Sequence, residues 1–276
     1  MTLLASAIII ALLITIGLPV LAGVWANKKV GVSWHVITYG AMAYFIVQLL
    51  VTLVFSGFSL LVQNQTIMIA EGSLLTVQII LSIFLGALFG VIVRWAGMKF
   101  LKFDLVNHKS ALGIGIGYGG VESLMLVGLP MLNTFITMMA NRQIDPQTST
   151  LDPAVISQIE ALWQVPFTIP LIGALERIAA MVMHITVTIM ILRSFQRNQP
   201  YWLAAALGLE IILNGLIAGL ANAGVAYGWL VLISLGLLGL NLLILDLLGV
   251  IDFRHLLKKE LPTSAEEPHQ ETDAEE

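Results

Sequence analysis

Residues 167–192 read FTIPLIGALERIAAMVMHITVTIMIL, and this stretch decides the fold. At a rise of about 1.5 Å per residue it is long enough to cross the roughly 30 Å hydrocarbon core of a bilayer. Yet Glu176 and Arg177 stand side by side within it, and His184 follows two turns later. An ionised side chain at mid-bilayer costs roughly 2.5–3.5 kcal/mol on insertion scales. A span carrying three ionisable groups therefore reads as one wall of a functional chamber, and its partners must come from neighbouring spans.

The rest of the chain has the same character. Hydrophobic residues make up 58% and charged residues 11%, with a mean hydropathy of +0.93; soluble domains carry about 25% charge. A soluble globular protein is excluded. Seven apolar stretches are expected to cross the membrane, at 2–25, 35–62, 73–94, 111–140, 165–192, 201–222 and 227–250. They are continuous rather than alternating, and far longer than the roughly 9–11 residues of a barrel strand. The expected fold is all-α, a polytopic membrane bundle of about seven transmembrane helices over residues 1–252. Residues 253–276 form an expected disordered acidic tail, since seven acidic residues fall between Glu260 and Glu276. Residues 1–24 lack a charged leader and read as an uncut first span. Cysteine is absent, which rules out disulfides, a thiolate nucleophile and cysteine-bound zinc.

Lysine and arginine set the expected orientation. Lys28, Lys29, Arg94, Lys99, Lys102, Lys109, Arg193, Arg197, Arg254, Lys258 and Lys259 fall at alternate breaks, so eleven of the 13 cations share one side. The N-terminus is then outside and the C-terminus cytoplasmic. Arg94-Trp95 and Tyr201-Trp202 read as interfacial anchors. The long connection at 141–160 has Asp145-Pro146 and Asp152-Pro153 turns, and a short interfacial helix is expected over Pro153–Trp163.

Inside the membrane, Glu122, Glu176, Arg177, Glu210 and Asn214 all fall within one or two turns of the midplane, with His184 a little below. Three consecutive spans each bring a carboxylate to similar depth. Three negative charges face the single positive charge of Arg177, so two more are needed, from protons or from a divalent cation. Glu210 and Asn214 share a helix face at i,i+4, and Arg177 and His184 share one at i,i+7. Glu176 and His184 are separated by roughly 12 Å along the axis, too far to share an ion easily. GIGIGYGG at 113–120 lacks the preceding strand of a dinucleotide loop; its Gly113/Gly117 and Gly115/Gly119 pairs fit close helix packing. Asn241 reads as an interhelical hydrogen-bonding group.

Gly117-Tyr118-Gly119-Gly120-Val121-Glu122, Glu176-Arg177 followed by His184, and Glu210-x-x-x-Asn214 together resemble the YhfC family of intramembrane metalloproteases. That family is similar in layout to the CAAX-protease and PrsW-like membrane peptidases, and the likeness runs from the first span to the last. Arg94, Glu122, Glu176, Arg177, His184 and Asn214 match its pattern. Gly90 and Val91 stand where it has paired acids, and Tyr118 and Glu210 where it has histidines.

The resemblance implies a multi-pass protein of a bacterial-type cytoplasmic membrane that hydrolyses peptide bonds of a membrane-associated substrate. Zinc is the implied cofactor, held by His184 and Glu210. Glu122 or Glu176 would be general base, and Arg177 or Asn214 would stabilise the oxyanion. The lost acids and histidines imply a second expectation: an inactive member that binds a membrane partner, peptide or lipid in the polar pocket. A third, a proton-coupled carrier, would require an inverted repeat with broken helices, and none is visible. Expected partners are the lipid bilayer and a membrane-associated protein or peptide, without nucleic acid.

Overall fold

Backbone polar groups in hydrocarbon must be satisfied within the chain, which leaves long apolar runs the helix as their solution. The computed structural model describes residues 2–70, 72–100, 106–143 and 152–251, and among these every regular element is helical. They are α1 Thr2–Val30, α2 Trp34–Gln63, α3 Leu74–Phe100, α4 His108–Ala140, α5 Pro153–Trp163, α6 Thr168–Gln196, α7 Tyr201–Asn222 and α8 Tyr227–Leu247. All but α5 are long and apolar enough to cross a membrane, giving the seven expected spans. The acidic tail, Lys102 and Asp145 lie outside the described residues.

Local chemistry fixes the ends. Asn107 caps α4 by accepting from the Ser110 amide at 2.9 Å. Asp152 caps α5 by accepting from the Ala154 amide at 2.7 Å, with Pro153 in the first turn, where its missing donor costs nothing. Helix α5 occupies the expected residues. The turn that follows it carries Val165, which packs with Leu162, Trp163, Leu4, Ile8 and Met138.

Two spans carry the same irregularity. Leu13–Gly17 in α1 and Leu124–Gly128 in α4 are π-helical turns, followed in each case by Leu-Pro, at Pro19 and Pro130. Pro19 has no N–H, so the Thr15 carbonyl one turn back loses its helical donor. Ser123 of α4 replaces it, its Oγ donating to the Thr15 carbonyl at 2.9 Å. Single π turns often accompany functional sites; Glu122 lies just before the one in α4.

Helix α6 is central: 67% of its apolar window is buried in the protein, against 28% or less in every other span. Helices α2, α4, α6 and α8 pack in sequence as a row, α3 joins α2 and α7, and α1 leans on α4 and α6. The two glycine pairs of α4 explain how the row closes. Gly113 and Gly117 face α2, where a Cβ at 117 would overlap the Ile37 carbonyl oxygen; Gly115 and Gly119 face α6, where a Cβ at 115 would lie 2.6 Å from Ile185 Cα. The packing role expected of these pairs is what they perform.

The seam between α3 and α7 is built differently. A cleft of about 370 Å³ lies toward the α5 end, lined by Ile80, Phe84, Ile211, Gly215 and Gly219 among others. A second, of about 310 Å³, lies toward the opposite end, between Ile92, Trp95, Leu203 and Leu207.

Candidate functional site

Because α3 continues to Phe100, Arg94 lies in a helix interior and not at its end. It is 0% exposed, which corrects its reading as an interfacial anchor. Its guanidinium is satisfied in several directions. Nη2 donates to Glu210 Oε2 at 2.5 Å, Nε to the Gly90 carbonyl at 2.8 Å, and Nη1 to Thr188 Oγ1 at 3.4 Å. The carbon of that group also sits 4.5 Å from the centre of the Tyr118 ring, within cation–π range.

The remaining charged groups continue from this pair. Arg177 Nη1 donates to Glu122 Oε1 at 3.0 Å, and its other nitrogens hold the neighbouring Glu176. His184 lies between the two halves: Nε2 is 2.8 Å from Glu122 Oε2 and Nδ1 is 3.5 Å from Glu210 Oε1. Both ring nitrogens are buried without a well-formed hydrogen bond. The Tyr118 ring covers the imidazole at 4.8 Å between centres. Six ionisable side chains from α3, α4, α6 and α7 thus form one line: Arg94, Glu210, His184, Glu122, Arg177, Glu176. Arg177 and His184 reach the same carboxylate, as their shared face predicts. Glu176 and His184 do not meet, also as expected.

Gly90 explains how Glu210 is accommodated. A Cβ there would lie 3.1 Å from Arg94 Nη2, 3.2 Å from the Tyr118 hydroxyl and 3.3 Å from Glu210 Oε1. The space that an acidic side chain on α3 would need is filled by a carboxylate from α7.

Asn214 lies apart from this line. It borders a small cavity with Glu176, Ser234 and Asn241, between α6, α7 and α8. Asn241 is not the interhelical link its sequence suggests: its Nδ2 donates to the Leu237 carbonyl of its own helix at 2.8 Å. Neither Ser234 nor Arg94 was legible as a site residue from charge pattern alone. The signals for Arg94 were its match to the family pattern and its flanking glycines, Gly90 and Gly97, which mark a tightly packed face rather than a membrane surface.

The arrangement bears on zinc, which takes about three protein ligands plus water. Glu122 and Glu210 face opposite nitrogens of one imidazole, so an ion on either nitrogen gains only one of them. Both carboxylates already hold an arginine. Among the described residues, no group of three His, Cys, Asp or Glu side chains is placed to hold a metal ion. The charge balance points the same way. Arg94 supplies one of the two missing positive charges, so even with His184 left out of the count the deficit is at most one unit, less than a divalent ion brings. The residues present do not fit a zinc centre.

Known proteins supply the family. The model of the family described as YhfC intramembrane metalloprotease matches residues 10–235. The uncharacterized membrane protein YhfC of Bacillus subtilis (strain 168) is 24% identical over 210 residues, which cover 74% of this chain and 79% of that protein. No solved structure matches the chain. A family match over most of the length, on a seven-span bundle, makes this multi-pass membrane protein a member of the YhfC intramembrane metalloprotease family.

Proposed function

We propose that this chain is a non-hydrolytic member of its family, which binds a membrane-embedded peptide or lipid beside a polar centre that no longer holds zinc. The observation that carries the reading is the position of His184 between two carboxylates, each already bound to an arginine. A buried ion pair gives up much of its attraction to desolvation, and its groups cannot also serve as open metal ligands without losing their partners. Glu122 and Glu176 are then counter-ions of Arg177 rather than general bases, and Glu210 is the counter-ion of Arg94. The partner approaches through the α3–α7 seam, where two clefts flank the Arg94–Glu210 pair.

Peptide-bond hydrolysis is the second reading, favoured by the retained contact of His184 Nε2 with Glu122 Oε2 at 2.8 Å. Two protein donors on adjacent helices are a partial metal site, and the family description supplies the rest of that case. The test is cleavage of single-span substrates in proteoliposomes supplied with zinc, with Glu122→Gln as control. The proposal expects no difference between wild type and variant. Zinc-dependent cleavage that disappears in Glu122→Gln would overturn it. The binding part is tested separately: a photoreactive residue replacing Phe84 in the seam is expected to label a peptide or lipid that the same residue replacing exposed Leu53 does not.

A further inference from the structure

The two clefts of the α3–α7 seam differ in charge. The cleft at the end away from α5 has a volume of about 310 Å³, and its walls include Leu88, Ile92 and Trp95 of α3 and Leu203, Ala204 and Leu207 of α7. Every residue of its lining is aliphatic or aromatic. This is the end of the bundle that also carries Lys28, Lys29, Lys109 and Arg197.

The stripe that lines the cleft on α3 continues into a cation. Leu88, Ile92, Trp95 and Lys99 follow one another at steps of four, three and four residues, which is one face of a helix. Lys99 is exposed, and its Nζ lies 4.6 Å from the centre of the Trp95 ring and 5.4 Å from that of Phe100, within cation–π range. The ammonium therefore stands at the mouth of the cleft, over one of its walls. On the opposite wall, Leu203 and Ala204 belong to the first turn of α7, whose positive dipole end also favours an anion. Among the described residues, the acid at this end of the spans is Asp246, on α8, a helix that packs mainly on α6. The cleft toward α5 has no cation in its lining; its polar residues are Thr76 and Asn222.

An apolar cleft with an ammonium at its interfacial mouth matches an amphiphile with an alkyl tail and an anionic head. An apolar helix of a partner protein would fill the cleft but leave the ammonium without an anion. We infer that this cleft holds an acyl chain of an anionic phospholipid from the leaflet on the basic side, with the phosphate held by Lys99 and the start of α7. The inference rests on the reading of the α3–α7 seam as the place where a membrane partner binds, and it commits the basic half of that seam to lipid. The chain of the lipid supplies packing that α3 and α7 lack on this side of the Arg94–Glu210 pair.

The test is photolabelling of the full chain in nanodiscs of mixed phosphatidylcholine and phosphatidylglycerol, with the two lipids counted in the adduct by mass spectrometry. A photoreactive residue replacing Ile92, on the cleft wall, should favour phosphatidylglycerol roughly fivefold over its bulk share, the worth of one lysine at an anionic lipid surface. The same residue replacing Leu243, exposed at the same end of α8, should take the two lipids closer to their bulk ratio. Lys99→Gln should reduce the preference at position 92 to that at position 243, and Ala204→Trp, which fills the cleft, should lower all lipid labelling from position 92. If the label at position 92 prevents folding, native mass spectrometry of the unlabelled chain gives the reading: a phosphatidylglycerol retained where phosphatidylcholine is not, and lost in Lys99→Gln. Equal preference at positions 92 and 243, or a preference that survives Lys99→Gln, would overturn the inference and leave annular lipid only. A peptide adduct at position 92 in place of lipid would overturn it as well. Labelling from position 84 without a lipid preference at position 92 would overturn this inference alone and leave the proposed function standing.

Discussion

Helix α4 and helix α7 meet their neighbours by opposite means. Helix α4 meets α2 and α6 backbone to backbone, at Gly117 and Gly115, with no space for a single added carbon. Helix α7 meets α3 through the Arg94–Glu210 pair, and open clefts lie on both sides of it. In lipid, where apolar burial drives little association, close packing and polar contacts are the forces left to hold helices together. The first seam relies on packing and should be stiff. The second relies on one buried charge pair and should part when that pair is disturbed.

The largest effect should come from filling the stiff seam. Gly117→Leu drives a side chain into the Ile37 backbone, and a loss above about 5 kcal/mol, the exceptional range for one substitution, is expected, since overpacking against backbone cannot relax. Thermal unfolding and the yield of folded protein would measure it. Breaking the charged seam comes next. Arg94→Met leaves Glu210 buried without a partner, at an expected cost of about 3–5 kcal/mol. Replacing both partners, Arg94→Met with Glu210→Met, should recover most of that loss. If the double variant is as unstable as the single one, the pair is not what joins α3 to α7.

A smaller effect tests the two π turns. Ser123→Ala removes the donor to the Thr15 carbonyl and should cost about 0.6 kcal/mol, the average for hydrogen bonds between membrane helices. With Pro19→Ala in the background, an N–H returns to α1 and the Ser123 substitution should become neutral, a coupling that a double-mutant cycle reads directly. The smallest effect is expected in the open cleft. Gly215 has nothing within 4 Å of where its Cβ would be, so Gly215→Leu should change stability by no more than about 0.5 kcal/mol. It should instead weaken labelling from position 84 if a partner occupies that cleft.

Much of this was legible in the sequence. The seven spans, the short helix at Pro153–Trp163 and the packing role of the Gly113/Gly117 and Gly115/Gly119 pairs follow from hydropathy and spacing. The meeting of Glu122, Arg177, His184 and Glu210 followed from their common depth. Arg94 was misplaced because span boundaries read from hydropathy stop at the first strong charge. A buried arginine bonded to Glu210, Gly90 and Thr188 does not end a helix. That one shift changed the charge deficit from two units to one, and with it the case for a divalent ion. The Asn241 cavity was hidden for another reason: spacing places an asparagine on a helix but does not say whether its amide turns to its own backbone or to a neighbour.

The central claim is that the charges around His184 are matched by the protein's own arginines and leave no place for zinc. X-ray diffraction at the zinc absorption edge, from crystals grown with excess zinc, tests it most directly. The expected result is no anomalous peak at His184, with Arg94 on Glu210 and Arg177 on Glu122. A peak at the roughly 2.0–2.1 Å of a zinc–nitrogen bond from either ring nitrogen, with a carboxylate drawn off its arginine to complete the site, would contradict it.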